Sequence, residues 1–266
     1  MNYGKVSIIM PAYNTGERIL DAINSIVDQT YKNWELIIVD DCSTDNTENI
    51  IKSVHDDRII YFKNKTNMGA AYSRNRAIRE AKGNWISFLD SDDLWFSNKL
   101  ELQLNFMVKN DYDFTFTDYI IKDECGRSDG YRYFGPDKVN KSLIWRYCYF
   151  STITVIYNRK KIGLIQIPNI KKNNDYAMWL KIIENTDAYR FPKILSVYWK
   201  REGSISSGNK LKLIKYHYIL FKDVCNCSSV YSIFCTLRNL VFGVHKKIFY
   251  RRKIEGKNEN IWKFKE

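Results

Sequence analysis

The sequence predicts an α/β fold in which a mostly parallel central sheet is flanked by helices. Short, almost wholly apolar runs alternate with longer segments whose apolar residues recur at helical spacing. The runs lack the in-out alternation of half-solvated strands, so they suit a sheet covered on both faces. A content of 45% hydrophobic residues over 266 positions is ample for one large or two small domains.

The elements follow in order. "KVSIIM" (5–10) is the first strand. In "NTGERILDAINSIVDQ", Ile19, Leu20, Ile23, Ile26 and Val27 share a helical face, with Asn14 and Glu17 as a start signal. "WELIIVD" (34–40) is the second strand, and "STDNTENIIKSV" is a helix begun at Ser43, Thr44 or Asp45. "RIIYF" (58–62), "GAAYSRNRAIREA" (69–81) and "WISFL" (85–89) read as strand, helix and strand. Beyond residue 97 the pattern loosens. "NKLELQLNFMV" reads as a helix, while "DFTFTDYII" (113–121), "TITVIY" (152–157) and "ILSVYW" (194–199) read as strands. "DYAMWLKIIE" (175–184) sets Tyr176, Trp179, Leu180 and Ile183 on one face of a helix whose first turn holds Asp175.

The net charge of +12 is unevenly placed. Residues 199–266 hold 15 Lys and Arg against 5 Asp and Glu, leaving 27 against 25 for residues 1–198. That asymmetry predicts two functional regions, the second facing an acidic surface, a phosphate or a membrane. No run of 18 apolar residues is present to span a bilayer. Six scattered cysteines and an opening "MNYGKVSIIM" without a charged-then-apolar leader favour a reducing cytoplasm, and Cys225 and Cys227 lack a second pair at metal-binding distance.

In open α/β sheets ligands bind at the carboxyl ends of the strands. The first strand runs into "PAYN", the second into Asp40 and Asp41, the fourth into Asp90, Ser91, Asp92 and Asp93. Carboxylates gathered on one edge repel unless a cation or donor groups lie between them. Mg2+ and Mn2+ accept one or two carboxylates together with phosphate oxygens, which Asp92 and Asp90 would supply. The plainer role for these acids is capping the helix near Ser97, but their place after a buried strand, with a second acidic pair one strand away, favours a ligand site. Asp41 is either the acceptor for a uracil-like N–H or a turn residue. Arg74 either faces nucleotide phosphates or lies on a solvated helix face. No GxGxxG follows the first strand and no GxxxxGK[ST] occurs, which disfavours dinucleotide oxidoreductases and P-loop NTPases. "PAYNTGE" also lacks the glycine-rich, cation-bearing loop of a nucleotidyltransferase, and the acidic edge argues against a nucleic-acid-binding protein.

"VSIIMPAYNTGERILDAINSIVDQTYKNWELIIVDDCSTDNT", "NMGAAYSRNRAI" and "GNWISFLDSDDLW" resemble, in order, the successive blocks of the family 2 glycosyltransferases, inverting enzymes of the GT-A fold. The resemblance covers about residues 5–110 and weakens beyond. It implies a nucleotide-diphosphate sugar donor, with Pro11, Ala12, Tyr13 and Asp41 at the base, Asp90 and Ser91 near ribose and metal, and Asp92 on Mn2+ or Mg2+. It implies Asp175 as the catalytic base, although Asn174 stands where the family often has an acid. "YWKREGSIS" (198–206) resembles a segment in which a histidine often reaches the metal; none is present, and Lys200 or Arg201 is the expected diphosphate contact.

Two parts are expected. Residues 1–205 form the catalytic domain, with a donor half (1–110) and an acceptor half (111–205), and 206–266 a basic amphipathic C-terminal region. There Val230, Ile233, Phe234, Leu237, Val241, Val244 and Ile248 line one helical face, flanked by Arg238, Lys246, Lys247, Arg251 and Arg252. This suits either contact of residues 230–254 with an anionic membrane, or a helix packed on the catalytic domain with a solvated basic face. The resemblance extends to bacterial O-antigen and capsule enzymes, which implies UDP-glucose or UDP-galactose as donor, a polyprenyl-diphosphate-linked saccharide as acceptor, and a place on the cytoplasmic face of the membrane. A sugar-nucleotide-binding protein without transfer activity is the other reading.

Overall fold

The computed structural model describes residues 2–123, 125–200 and 210–254, without the side chains of 210–212. Its elements are β1 (Val6–Ala12), α1 (Ile19–Val27), β2 (Trp34–Asp40), α2 (Thr47–Ser53), β3 (Ile59–Lys63), α3 (Ala70–Glu80), β4 (Trp85–Phe88), β5 (Leu94–Trp95), α4 (Lys99–Lys109), β6 (Phe114–Lys122), β7 (Ser128–Tyr133), β8 (Lys138–Val139), α5 (Lys141–Ile144), β9 (Val155–Asn158), α6 (Arg159–Ile162), α7 (Asn174–Ile182), β10 (Ala188–Trp199), α8 (Lys210–Ile219), α9 (Ser229–Phe249) and β11 (Arg251–Lys253).

One path of the sheet runs β11-β7-β6-β9-β4-β1-β2-β3, with β10 pairing β5, β6 and β8. Its first half is parallel, as β4-β1-β2-β3. Beyond β4 the sheet becomes mixed, because β9 enters antiparallel to both β4 and β6 and β7 returns antiparallel to β6. The apolar strands read as continuous because both faces are covered. In β1, Val6, Ile8 and Met10 face a core shared with Ile19, Ile23 and Ile26 of α1 and Leu100 and Leu104 of α4. Ile9 faces the opposite core, with Ala77 and Ile78 of α3 and Met178 and Trp179 of α7.

Several boundaries differ from expectation. Helix α1 starts at Ile19 rather than near Asn14, because Asn14 has φ 48° and its Oδ1 accepts the Thr44 N–H at 2.9 Å. Helix α2 starts at Thr47, whose N–H is held by Asp45 Oδ1 at 3.0 Å. Thr152–Thr154 form a 3-10 turn, so the strand expected at 152 begins at Val155.

The expected division at 205/206 falls outside the described residues. From Lys210 onward the chain joins the same core: Leu220 is fully buried in it, and Val224, Cys225 and Tyr250 pack against it. Helix α9 ends at Phe249, and Arg251–Lys253 leave the helix to pair with β7. It packs on the catalytic domain, yet its solvated face is apolar rather than basic. No described helix is long and apolar enough to cross a membrane.

Candidate active site

Strands β4, β1 and β2 are neighbours, and the chain reaches β4 by crossing from β3 through α3 to the far side of β1. Their carboxyl ends therefore flank the point where strand order reverses, the standard crevice for a ligand. Pro11 is tolerated in β1 because β4 pairing ends at Ile9, so on that side its missing N–H leaves no ladder bond unmade. Pro11 and Ala12 are buried, whereas Tyr13 is 48% exposed at the mouth.

Asp40 and Asp41 separate into different roles. Asp40 is buried under the sheet edge, where its oxygens accept the Ser43 N–H (2.8 Å) and the Tyr61 hydroxyl (3.0 Å). Asp41 faces the α3 side: Oδ1 accepts from Asn64 Nδ2 (2.7 Å) and Met68 N (2.9 Å), and Oδ2 from Gly69 N (2.6 Å). Two lone pairs per oxygen leave Oδ2 able to accept one further N–H. Gly69 makes this approach at φ 88°, a conformation a side chain would strain.

After β4 the chain turns sharply, Asp93 N–H donating to Asp90 O at 3.0 Å. Ser91 and Asp93 are buried, while Asp90 and Asp92 remain partly exposed. Asp93 Oδ1 accepts the Trp199 N–H at 2.8 Å, tying the end of β10 to this turn. Lys200, the next residue, is thereby carried to the same edge and is exposed. Arg201 lies outside the described residues.

Arg74 joins the two halves of the site. Its Nη2 donates to Asp90 Oδ1 at 2.5 Å, from a side chain 10% exposed. Burial alone would depress its pKa, but the charge of Asp90 and the hydrogen bond to it, then the charges of Asp175 and Asp92, raise it instead. One guanidinium thus senses all three carboxylates. Asp175 opens α7, where Oδ2 accepts the Thr152 hydroxyl (2.9 Å) and Oδ1 its neighbour's Tyr176 N–H (2.8 Å). The preceding Asn174 Oδ1 accepts the Asp175 N–H at 2.7 Å.

Asn64, Thr152 and Trp199 were not anticipated. Each bonds a site aspartate from 23 to 106 residues away in sequence, a separation that no local pattern reports. Among the described residues no three His, Cys, Asp or Glu side chains form a closed metal cage. The donor set still fits a hard cation, since two partly exposed carboxylates on one turn would be completed by phosphate oxygens. Burial pushes the Cys225 thiol up to about 12 and raises that of Cys227 as well, so neither is a thiolate on its own.

The fold and its acid-lined crevice define a glycosyltransferase of the GT-A type. Staphylococcus aureus TarS, residues 1–349 with UDP-GlcNAc, superposes with a TM-score of 0.69 at 23% identity, covering 89% of this chain and 71% of that one. The mannosyltransferase PcManGT from Pyrobaculum calidifontis, in complex with GDP-Man and Mn2+, superposes with a TM-score of 0.64 at 18% identity, covering 91% and 75%. Residues 7–166 match the family model described as Glycosyl transferase family 2. The Escherichia coli UDP-Glc:alpha-D-GlcNAc-diphosphoundecaprenol beta-1,3-glucosyltransferase WfgD is 36% identical over 246 residues, 92% of this chain and 95% of that protein. The chain belongs to glycosyltransferase family 2.

Proposed function

We propose that this glycosyltransferase is an inverting, metal-dependent hexosyltransferase that moves glucose or galactose from its UDP-sugar to a polyprenyl-diphosphate-linked saccharide, in O-antigen or capsule assembly. The observation that carries the reading is the ion pair of the buried Arg74 with Asp90 on the turn after β4, with Asp175 and Asp92 near enough for their charges to act on the same guanidinium. It brings an acid from the acceptor half of the chain to the turn that receives the donor. The donor and acceptor classes are supported by the relative whose name specifies UDP-Glc and a diphosphoundecaprenol-linked sugar.

In this reading Tyr13, exposed at the crevice mouth, and the remaining lone pair of Asp41 hold the base, and Lys200 meets the diphosphate. Asp92 and Asp90 would hold Mn2+ or Mg2+, which would supply the positive charge that offsets the diphosphate leaving group. Asp175 takes the proton from the acceptor hydroxyl while that oxygen bonds to C1 of the sugar. The bond from C1 to the diphosphate breaks with its electron pair leaving on UDP, so the anomeric configuration inverts. Thr152 and the Tyr176 N–H fix both Asp175 oxygens, which orients the base before the acceptor arrives. The protein works at the cytoplasmic face of the membrane, where the lipid-borne acceptor is found.

Purified protein incubated with a panel of sugar nucleotides, Mn2+ or Mg2+ and a synthetic lipid-diphosphate sugar tests this by product mass. One added hexose from UDP-glucose or UDP-galactose is expected, lost with a chelator and in Asp92→Ala. Donor binding without any product would instead indicate a sugar-nucleotide-binding protein. Equal turnover with and without the metal would overturn the metal requirement.

A further inference from the structure

Helix α9 turns its small and polar residues inward and its large apolar residues outward. Ser232, Cys235, Thr236 and Asn239 are buried, and Gly243 sits so close to Tyr147 that an added Cβ would lie 3.0 Å from the ring. Val230, Ile233, Leu237, Val241, Val244 and Ile248 are each more than half exposed. A helix whose outer face met only water would have the opposite pattern. A stripe of this kind along 21 residues, about 30 Å of helix, marks a contact surface.

The edge of that stripe carries a second feature. Between α5 and α9 lies an open groove of about 540 Å³ lined by Lys141, Ser142, Trp145, Tyr231 and Arg238. It contains two cations and two amphipathic aromatics, and no acid. Arg238 Nη2 is braced by the Trp145 carbonyl at 3.0 Å, and its guanidinium lies 5.3 Å from the centre of the Phe234 ring. The Arg238 Nε and Trp145 Nε1 hydrogens are buried beneath the groove without an acceptor among the described residues. Such a lining is complementary to an anion, and Trp, Tyr and Arg beside an apolar stripe match the chemistry of the boundary between headgroups and acyl chains. An apolar protein partner would account for the stripe but not for an acid-free cationic groove on its rim.

We infer that α9 lies in the plane of the bilayer with its apolar stripe among the acyl chains, and that the α5–α9 groove seats the phosphate headgroup of an anionic phospholipid. This rests on the reading that the acceptor is lipid-borne, and it names the surface that meets the lipid. The same helix touches the catalytic half from its inner face. Asn239 Nδ2 donates to the Tyr176 hydroxyl at 3.1 Å, and Tyr176 follows Asp175. Docking therefore sets the base's helix at a fixed height above the membrane.

The test is sedimentation of the whole chain with vesicles of phosphatidylcholine alone or mixed with phosphatidylglycerol, without sugar nucleotide. Truncating α9 would uncover Tyr176, so surface substitutions are the informative variants. Phosphatidylglycerol is expected to strengthen binding. Lys141→Gln with Arg238→Gln is expected to remove about thirtyfold of that gain, the size expected for two cations at an anionic surface, while binding to phosphatidylcholine persists. Leu237→Glu with Val241→Glu is expected to abolish both. Should the Arg238 variant unfold, Lys141→Gln at its exposed position carries the test with about a fivefold loss.

Equal binding of the wild type to both vesicle types would overturn the headgroup seat. So would displacement from mixed vesicles by inorganic phosphate at an ionic strength where chloride has no effect, since the groove would then take free phosphate. A concentration-dependent dimer that Leu237→Glu with Val241→Glu dissolves, with no vesicle binding, would assign the stripe to a second copy of the chain. Because no substrate is present, any of these failures leaves the transfer reading intact, and a failure of transfer leaves the vesicle result standing.

Discussion

At Asp175 both carboxylate oxygens already hold a donor, so an amide in its place keeps the shape of the site but accepts no proton. Asp175→Asn is expected to retain donor binding, read by calorimetry, and to lose about 10²–10⁴-fold in turnover. Thr152→Val removes the hydroxyl that orients Asp175, the proposed base, from outside its own helix, a bond to a charged group worth about 1.5 kcal/mol, so turnover should fall about tenfold with KM little changed. A second residue acts just upstream. Asn173, at φ 60° before α7, has its Nδ2 at 3.2 Å from His217 Nδ1, and burial lowers the pKa of this histidine from 6.5 to about 4. Below pH 6.5 the unfolded chain binds a proton that the folded chain refuses. Stability is therefore whole above that pH and falls by roughly 2–3 kcal/mol as it drops toward 4. Thermal unfolding across this window should show the loss, and His217→Gln should flatten that part of the profile.

Among the elements, legibility follows how local the determining contacts are. Strands β1, β2 and β4 announce themselves because both faces are buried, and the Asp90–Asp93 turn because it interrupts such a strand. Strand β7, "SDGYRY", is solvated and is held by β6 and β11, so nothing in its own letters marks it. The stripe of α9 was readable as periodicity, but which side of it faced solvent was not. The burial of Ser232, Thr236 and Asn239 decides it, with Asn239 bonding the Arg146 carbonyl and the Tyr176 hydroxyl of α7. Asp175 stands out in the sequence only through the family resemblance, and its partner Thr152 lies 23 residues away, beyond any local pattern. The joint between α9 and α7 is testable as an element contact. The Tyr176 hydroxyl donates to Ile144 O at 2.6 Å and accepts from Asn239. Tyr176→Phe takes the hydroxyl from the Ile144 carbonyl and one of the two bonds from the Asn239 amide, a cost of about 1–3 kcal/mol, and the melting temperature should fall by roughly 3–10 °C in calorimetry.

At the scale of the whole molecule, charge is divided by task. The ends of β1, β2 and β4 gather Asp40, Asp41, Asp90, Asp92 and Asp93, whereas residues 199–266 hold a net charge of +10. Both regions share one core, so orientation of the C-terminal face also orients the crevice. Salt should separate the two functions, because the screening length shrinks from about 10 Å at 0.1 M to about 3 Å at 1 M ionic strength. Exposed cations such as Lys247, Arg251, Arg252 and Lys253 lose their long reach toward an anionic surface over that range, while contacts within the crevice are screened much less. Transfer to an acceptor embedded in phosphatidylglycerol vesicles is therefore expected to fall at least about tenfold across the range. Transfer to a short-chain soluble analogue should change little. A parallel fall for both acceptors would place the salt-sensitive charges in the crevice itself and remove the division of labour from the fold.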